Sequence, residues 1–240
     1  MTIVDFETIK GKRVFNIFSE SENTKKRIVI MSHGFRASSI GPARTFVDFE
    51  RILLKEGYSV LRFDQPNSGN SEGNYLNSSF NEWVDTIVYF AKKYLNKNYK
   101  VALMGQSMGA SATVVASGRP ELDGRIRCLL LWVPDPKTTI REISEKVYEE
   151  GGQKYRGSFW VEARKSDFFE NLHKFQGKIH LVYGEKDKYI SQKTRERAIK
   201  AVKAKGQEAI VLSGQDHSAW EYNIVQKVYM KELQVLQKSF

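Results

Sequence analysis

The pentapeptide Gly105-Gln106-Ser107-Met108-Gly109 sets a serine between glycines, after the apolar run Val101-Ala102-Leu103-Met104 and before a stretch containing Ala110, Ala112 and Ala116. A strand that turns sharply into a helix at this point would lift the serine hydroxyl clear of a sheet, and flanking glycines let neighbouring backbone pass close to such a strained turn. A serine hydroxyl near neutral pH needs an adjacent base before it acts as a nucleophile. The chain has four histidines. His217, in Gly214-Gln215-Asp216-His217, follows the last β-branched run, at the edge where a parallel sheet presents its C-terminal strand ends, and is the candidate base. His180 falls inside a strand pattern and reads as a packed imidazole. His33 reads as a brace for its own loop, and His173 lies in an irregular middle segment.

A histidine base needs an acid to fix its tautomer and to stabilise the imidazolium. Asp187, in Gly184-Glu185-Lys186-Asp187-Lys188-Tyr189-Ile190, follows a strand pattern ending at Tyr183-Gly184 and is the first choice; Asp135 and Glu185 are its rivals. An oxyanion formed by attack on an acyl carbon requires preorganised donors. The backbone N–H of Met108 is one candidate, and that of Phe35, in the loop His33-Gly34-Phe35, is the other. Arg36 beside this loop reads either as a solvated side chain or as an attractor for an anionic substrate group.

These residues must be positioned by the elements around them. Short β-branched runs alternate with amphipathic segments, the pattern of an α/β protein with a parallel sheet buried on both faces. Residues 2–9 and 13–18 read as a hairpin turning near Gly11. Strands are expected over 27–31, 58–63, 100–104, 126–133, 178–183 and 208–212. Helices are expected over about 43–56, 79–96, 107–117, 191–205 and 219–237. The alternation stops over 134–176, which reads as an insertion at one edge of the sheet, a lid, within a single domain of residues 1–240. The segment from Thr138 to Glu150 reads as a charged helix broken by Gly151-Gly152. Phe159, Trp160, Phe168 and Phe169 either line an acyl pocket or simply dock the lid, and the same two readings stand for Trp132.

Composition narrows the class. The 240 residues carry a net charge of +10, with +5 on residues 1–130 and +5 on 131–240. No basic tail or stripe stands out, so a nucleic-acid module is not indicated. The longest apolar run, Cys128 to Val133, is far short of the ~20 residues that span a bilayer. The N-terminal Asp5 and Glu7 stand where a secretion signal carries basic residues. One cysteine, Cys128, fits a reducing compartment, and a cytoplasmic location is the expectation. There is no G-x-G-x-x-G, phosphate-binding loop or H-x-x-x-H spacing, so no cofactor or metal is called for.

Together the His33-Gly34 loop, the turn-rich stretch opened by Asp64, the serine pentapeptide, the inserted segment, Gly184…Asp187 and Asp216-His217 resemble an α/β-hydrolase along nearly the full chain. The chain order Ser107, Asp187, His217 is the one that superfamily uses. The small insertion and Asp64…Ser68-Gly69-Asn70-Ser71-Glu72-Gly73 resemble bacterial feruloyl/cinnamoyl esterases and related carboxylesterases of serine-aminopeptidase-like type. Those relatives carry a histidine in the turn after the aspartate, and this chain has Asn67-Ser68-Gly69 there. The resemblance implies hydrolysis of a small-molecule acyl ester through an acyl-serine. Thioester cleavage or acyl transfer by the same groups is the alternative, and a non-catalytic binding protein on the same scaffold is a third.

Overall fold

The computed structural model of the chain describes residues 1–23, 25–122, 124–136 and 140–240. An antiparallel hairpin, β1 (Thr2–Ile9) and β2 (Lys12–Ser19), leads into β3 (Arg27–Ser32), α1 (Thr45–Lys55), β4 (Ser59–Phe63) and α2 (Phe80–Asn96). Next come β5 (Lys100–Gln106), α3 (Met108–Ser117) and β6 (Ile126–Trp132). A short antiparallel pair, β7 (Val147–Glu150) and β8 (Gln153–Arg156), precedes α4 (Ser158–Lys165) and α5 (Phe168–Lys174). The chain then returns to the sheet with β9 (Lys178–Gly184), α6 (Gln192–Lys203), β10 (Glu208–Leu212) and α7 (Tyr222–Gln237).

The main sheet has eight strands in the order β1-β2-β4-β3-β5-β6-β9-β10. From β4 to β10 every neighbouring pair is parallel, while β2 joins β1 and β4 antiparallel. Parallel neighbours need crossover connections, and the helices supply them on two sides. α1 packs with α7 on one face, and α2, α3, α5 and α6 pack in sequence on the other. This double cover explains why β3 and β5 read as continuous apolar runs: Ile28, Val29, Ile30 and Met31, like Val101 to Met104, are at most 1% exposed. Truncating one of these side chains to alanine costs about 2–5 kcal/mol, because the dense interior only partly closes over the void.

Polar residues interrupt this core where they hold loops at the C-terminal strand ends. Arg62 on β4 is 6% exposed and pairs with Glu50 of α1. It also donates from Nη1 to the Ser39 carbonyl at 2.9 Å. Asp64, just past β4 and fully buried, accepts the Ser39 N–H at 2.6 Å through Oδ1 and the Asn70 N–H at 2.8 Å through Oδ2. The loop after β3 and the turn-rich loop after β4 are thereby tied to one carboxylate.

One expected element is replaced. Residues 140–146 are irregular and 147–156 form the β7–β8 hairpin, in place of the charged helix expected over 138–150; Lys137, Thr138 and Thr139 lie outside the described residues. The Gly151-Gly152 pair is the hairpin's two-residue turn. Both glycines have positive φ (57° and 76°), the conformation that matches the twist of the flanking strands. Tyr148 faces Tyr155 across the pair, rings stacked with centroids 6.0 Å apart.

Candidate active site

Ser107 stands between β5 and α3 with φ 55° and ψ −125°, a combination that an L-residue adopts only at a cost of about 1–3 kcal/mol. The surroundings enforce it. The Ser107 N–H donates to the Trp132 carbonyl on β6 at 2.8 Å, and its own carbonyl accepts the Ala110 N–H at 2.9 Å to start the helix. Backbone crowds both flanking glycines: a Cβ on Gly105 would lie 2.4 Å from the Ala110 Cα, and one on Gly109 would lie 2.2 Å from the His33 carbonyl oxygen. No side chain larger than hydrogen fits at either place.

His217 follows β10, and its Nε2 is 2.9 Å from Ser107 Oγ. Its Nδ1 is 2.8 Å from Asp187 Oδ2. The other oxygen of that carboxylate, Oδ1, accepts the N–H groups of Tyr189 and Ile190, each at 2.9 Å, which leaves Oδ2 directed at the imidazole. The Asp187 side chain has no exposed surface, and that of His217 is 11% exposed. Of the two rival acids, Asp135 lines the cleft in front of Ser107. Glu185 turns outward, accepting from the Gly214 N–H at 2.7 Å and from Ser213 Oγ at 3.1 Å.

Met108 is the first residue of α3, where backbone N–H groups have no intrahelical acceptor and the helix dipole favours negative charge. Gly34 and Phe35 lie on the other side of the same cleft. Their loop is braced twice. His33 is fully buried, with Nδ1 2.8 Å from the Gly34 carbonyl and Nε2 accepting the Gln65 N–H at 2.9 Å. Nε2 is thus the bare nitrogen and Nδ1 carries the proton, and burial pushes the pKa of this imidazole down and keeps it neutral. On the far side of Phe35, Arg36 has φ 57° and donates its N–H to the Tyr75 hydroxyl at 2.7 Å.

The cleft holds about 470 Å³, and Phe35, Arg36, Trp160, Tyr189 and Ile190 line it together with Ser107 and His217. Of Phe159, Trp160, Phe168 and Phe169, Trp160 lines the cleft. Phe159 is fully buried, its ring centroid 4.8 Å from that of Phe35 and 5.0 Å from that of Trp83. Phe168 is buried, and Phe169 lies beneath the Arg197 guanidinium, 3.9 Å from its centroid. Arg36 is partly exposed and paired: its Nη2 meets Glu150 on the β7–β8 hairpin at 2.7 Å.

Several contributors carry no sequence signal of their own. Asp216 accepts the His217 N–H at 2.7 Å and the Lys188 N–H at 3.1 Å, joining the histidine loop to the aspartate loop. The His217 N–H bond is the main reason the Asp216 carboxyl sits below its ordinary pKa. Adjacency to His217 is the one hint the sequence offers. Tyr189, 5.1 Å from the His217 ring, lies beside a signalled residue, whereas Tyr75 is brought in from a separate loop. Among the described residues, no group of three or more His, Cys, Asp or Glu gathers as a metal site would require, and no helix is long and apolar enough to cross a membrane.

Strand order, crossovers and the two helical layers are those of the α/β-hydrolase fold. Residues 23–135 match the family model described as serine aminopeptidase, S33. Among solved structures the chain is similar to Est1E from Butyrivibrio proteoclasticus with ferulic acid bound, at a TM-score of 0.81 and 17% identity over 98% of this chain and 99% of that one. It is also similar to the α/β hydrolase GrgF from Penicillium sp. sh18 (TM-score 0.80, 15% identity, 100% and 98% covered). A third likeness is to an esterase from Pyrococcus furiosus (TM-score 0.70, 18% identity, 100% and 90% covered). No curated protein matched in sequence.

Proposed function

We propose that the chain is a cofactor-independent serine hydrolase of small carboxylic esters, with Ser107 as nucleophile, His217 as general base and Asp187 as its orienting acid. The observation that carries this reading is the imidazole of His217, bonded on one side to Ser107 Oγ at 2.9 Å and on the other to Asp187 Oδ2 at 2.8 Å. Both distances lie within the reach that proton transfer requires. His217 Nε2 takes the Ser107 proton as Oγ attacks the acyl carbon, and the oxyanion accepts hydrogen bonds from the Phe35 and Met108 N–H groups. The imidazolium then protonates the leaving alcohol. Water, deprotonated in turn by His217, cleaves the acyl-serine and restores the free hydroxyl.

Residues 1–240 act as a single domain in this reading, and residues 134–176 serve as a cap that encloses the acyl group. Est1E was solved with ferulic acid, a hydroxycinnamic acid, and a cleft edged by Phe35, Trp160 and Tyr189 suits a flat aromatic acyl group. The reading places the work in the cytoplasm.

The test is a serine-directed phosphonate probe on the purified chain, together with a panel of aryl and alkyl esters and acyl thioesters. Labelling at Ser107 that disappears in Ser107→Ala, with hydrolysis of short esters, is the expected result. Labelling that survives the substitution, or an absence of turnover across the whole panel, removes the proposal. Turnover confined to thioesters keeps the nucleophile and reassigns the leaving group.

A further inference from the structure

Beneath the site runs a second, wholly buried line of polar groups. Trp132 Nε1–H donates to Glu232 Oε1 at 2.6 Å, and Glu232 Oε2 lies 2.7 Å from His180 Nδ1. Trp132 is 2% exposed, and Glu232 and His180 are 0% exposed. The three side chains come from β6, α7 and β9. A carboxylate with no access to water is costly to keep, and apolar residues of similar volume often serve stability as well or better. What sets this cluster apart from apolar packing is that it holds the indole N–H and the imidazole in one arrangement.

Trp132 touches the site from two directions. The Trp132 carbonyl accepts the Ser107 N–H at 2.8 Å, at the turn itself. The Trp132 indole lies 5.3 Å from that of Trp220. Trp220 in turn donates its Nε1–H to the Asp216 carbonyl at 3.1 Å, immediately before His217. One residue thus supports the serine through its backbone and the histidine loop through its ring, and Glu232 sets the rotation of that ring.

We propose that Trp132, locked by Glu232 and His180, is a positioning residue that fixes the separation between Ser107 and His217; the inference rests on the hydrolase reading above. A displacement of about 1 Å between reacting groups can cost on the order of 100-fold in rate, so a brace on both groups acts on turnover rather than on substrate binding.

The experiment compares the unmodified chain with Trp132→Phe, Glu232→Leu and Glu232→Gln, each first checked for native circular dichroism at the assay temperature. Steady-state kinetics on a short ester and the rate of phosphonate labelling are the readouts. Trp132→Phe and Glu232→Leu should lower kcat by about 10-fold or more with KM held within about twofold, and labelling should slow in parallel. Glu232→Gln keeps an oxygen for the indole N–H and should stay within about threefold of the unmodified chain. Folded Trp132→Phe and Glu232→Leu with undiminished kcat overturn the inference, as does a Gln variant no better than Leu. If Glu232→Leu does not fold, Trp132→Phe decides alone. Failure of the unmodified chain to label removes the hydrolase reading itself, whereas normal labelling in all variants removes only the brace.

Discussion

Gly109 and His33 approach so closely that a Cβ on the glycine would lie 2.2 Å from the histidine's carbonyl oxygen and 2.4 Å from that of Ser32. The obstacle is backbone, which cannot swing aside as the end of a long side chain can. The start of α3 and the end of β3 are therefore packed at the limit of contact, and Met108 and Phe35 line one cleft. Gly109→Ala should force the helix and the loop apart. The expected outcome is a loss of about 1–3 kcal/mol on thermal denaturation, as for other overpacked sites. A fall in ester hydrolysis on the order of 100-fold should accompany it, measured well below the melting temperature.

The two carboxylates near the cleft should separate cleanly by mutation. Asp187→Asn removes the charge beside His217 Nδ1 and allows the wrong tautomer, so kcat should fall by about 10³–10⁴-fold. Asp135→Asn leaves the imidazole contact intact, and its effect should appear chiefly in KM. Steady-state kinetics of the two variants on one ester check this, and the reverse ranking would move the orienting acid to the end of β6.

Tyr75 offers a milder perturbation of the loop that carries Phe35. Its hydroxyl accepts the Arg36 N–H, one residue beyond Phe35, and burial pushes the phenol's pKa up so that it stays protonated. Tyr75→Phe leaves that amide without its acceptor. A stability loss of about 1–3 kcal/mol is expected. If the Phe35 amide is an oxyanion donor as proposed, a drop in kcat larger than any rise in KM should accompany it. Equal catalytic constants in a folded Tyr75→Phe would show that the loop holds its shape without this bond.

A pH effect on stability should come from His180. Burial opposes its protonation, but the Glu232 carboxylate, aided by Glu208 and opposed by Lys231, raises its pKa above the ordinary 6.5. The folded chain then binds more protons than the unfolded chain between 6.5 and that raised value. Stability gained from this group is fully present below pH 6.5 and is lost as the pH climbs through the native value. Melting temperatures between pH 6 and 9 should therefore fall more steeply for the unmodified chain than for Glu232→Gln. The neutral, depressed His33 acts in the opposite sense, losing stability below 6.5, and it cancels in the comparison.

The parts of the molecule that could be read from sequence are those governed by local rules. Strands β3, β5 and β6 announce themselves as apolar runs, and Ser107, Asp187 and His217 each stand a few residues past such a run. The structure brings these three together because parallel strands deliver their ends to one edge. The hairpin at 147–156 was hidden because Ile140, Ile143 and Val147 sit at helical spacing among residues with good helix propensity. The decisive feature there is the pair of positive-φ glycines, which a helical reading treats only as a stop. Trp132, Glu232 and His180 were illegible as a group, since the partners lie 100 and 52 residues apart and no short pattern links them. The Arg36–Glu150 contact, spanning 114 residues, was invisible for the same reason.

Cys128 sits on β6, fully buried, with burial pushing its thiol pKa up. It is the one cysteine in the sequence. An electrophile added to the folded chain therefore meets no competing thiol, since a buried thiol held in its protonated form is inert. With Ser107 as the reactive group, the molar ratio of bound reagent to protein would report the fraction of molecules with a working centre, with no thiol blocking step beforehand. A thiol reagent added with denaturant would then mark the point at which β6 opens to solvent, so serine and thiol labelling together read the chemistry of the cleft and the integrity of the sheet behind it.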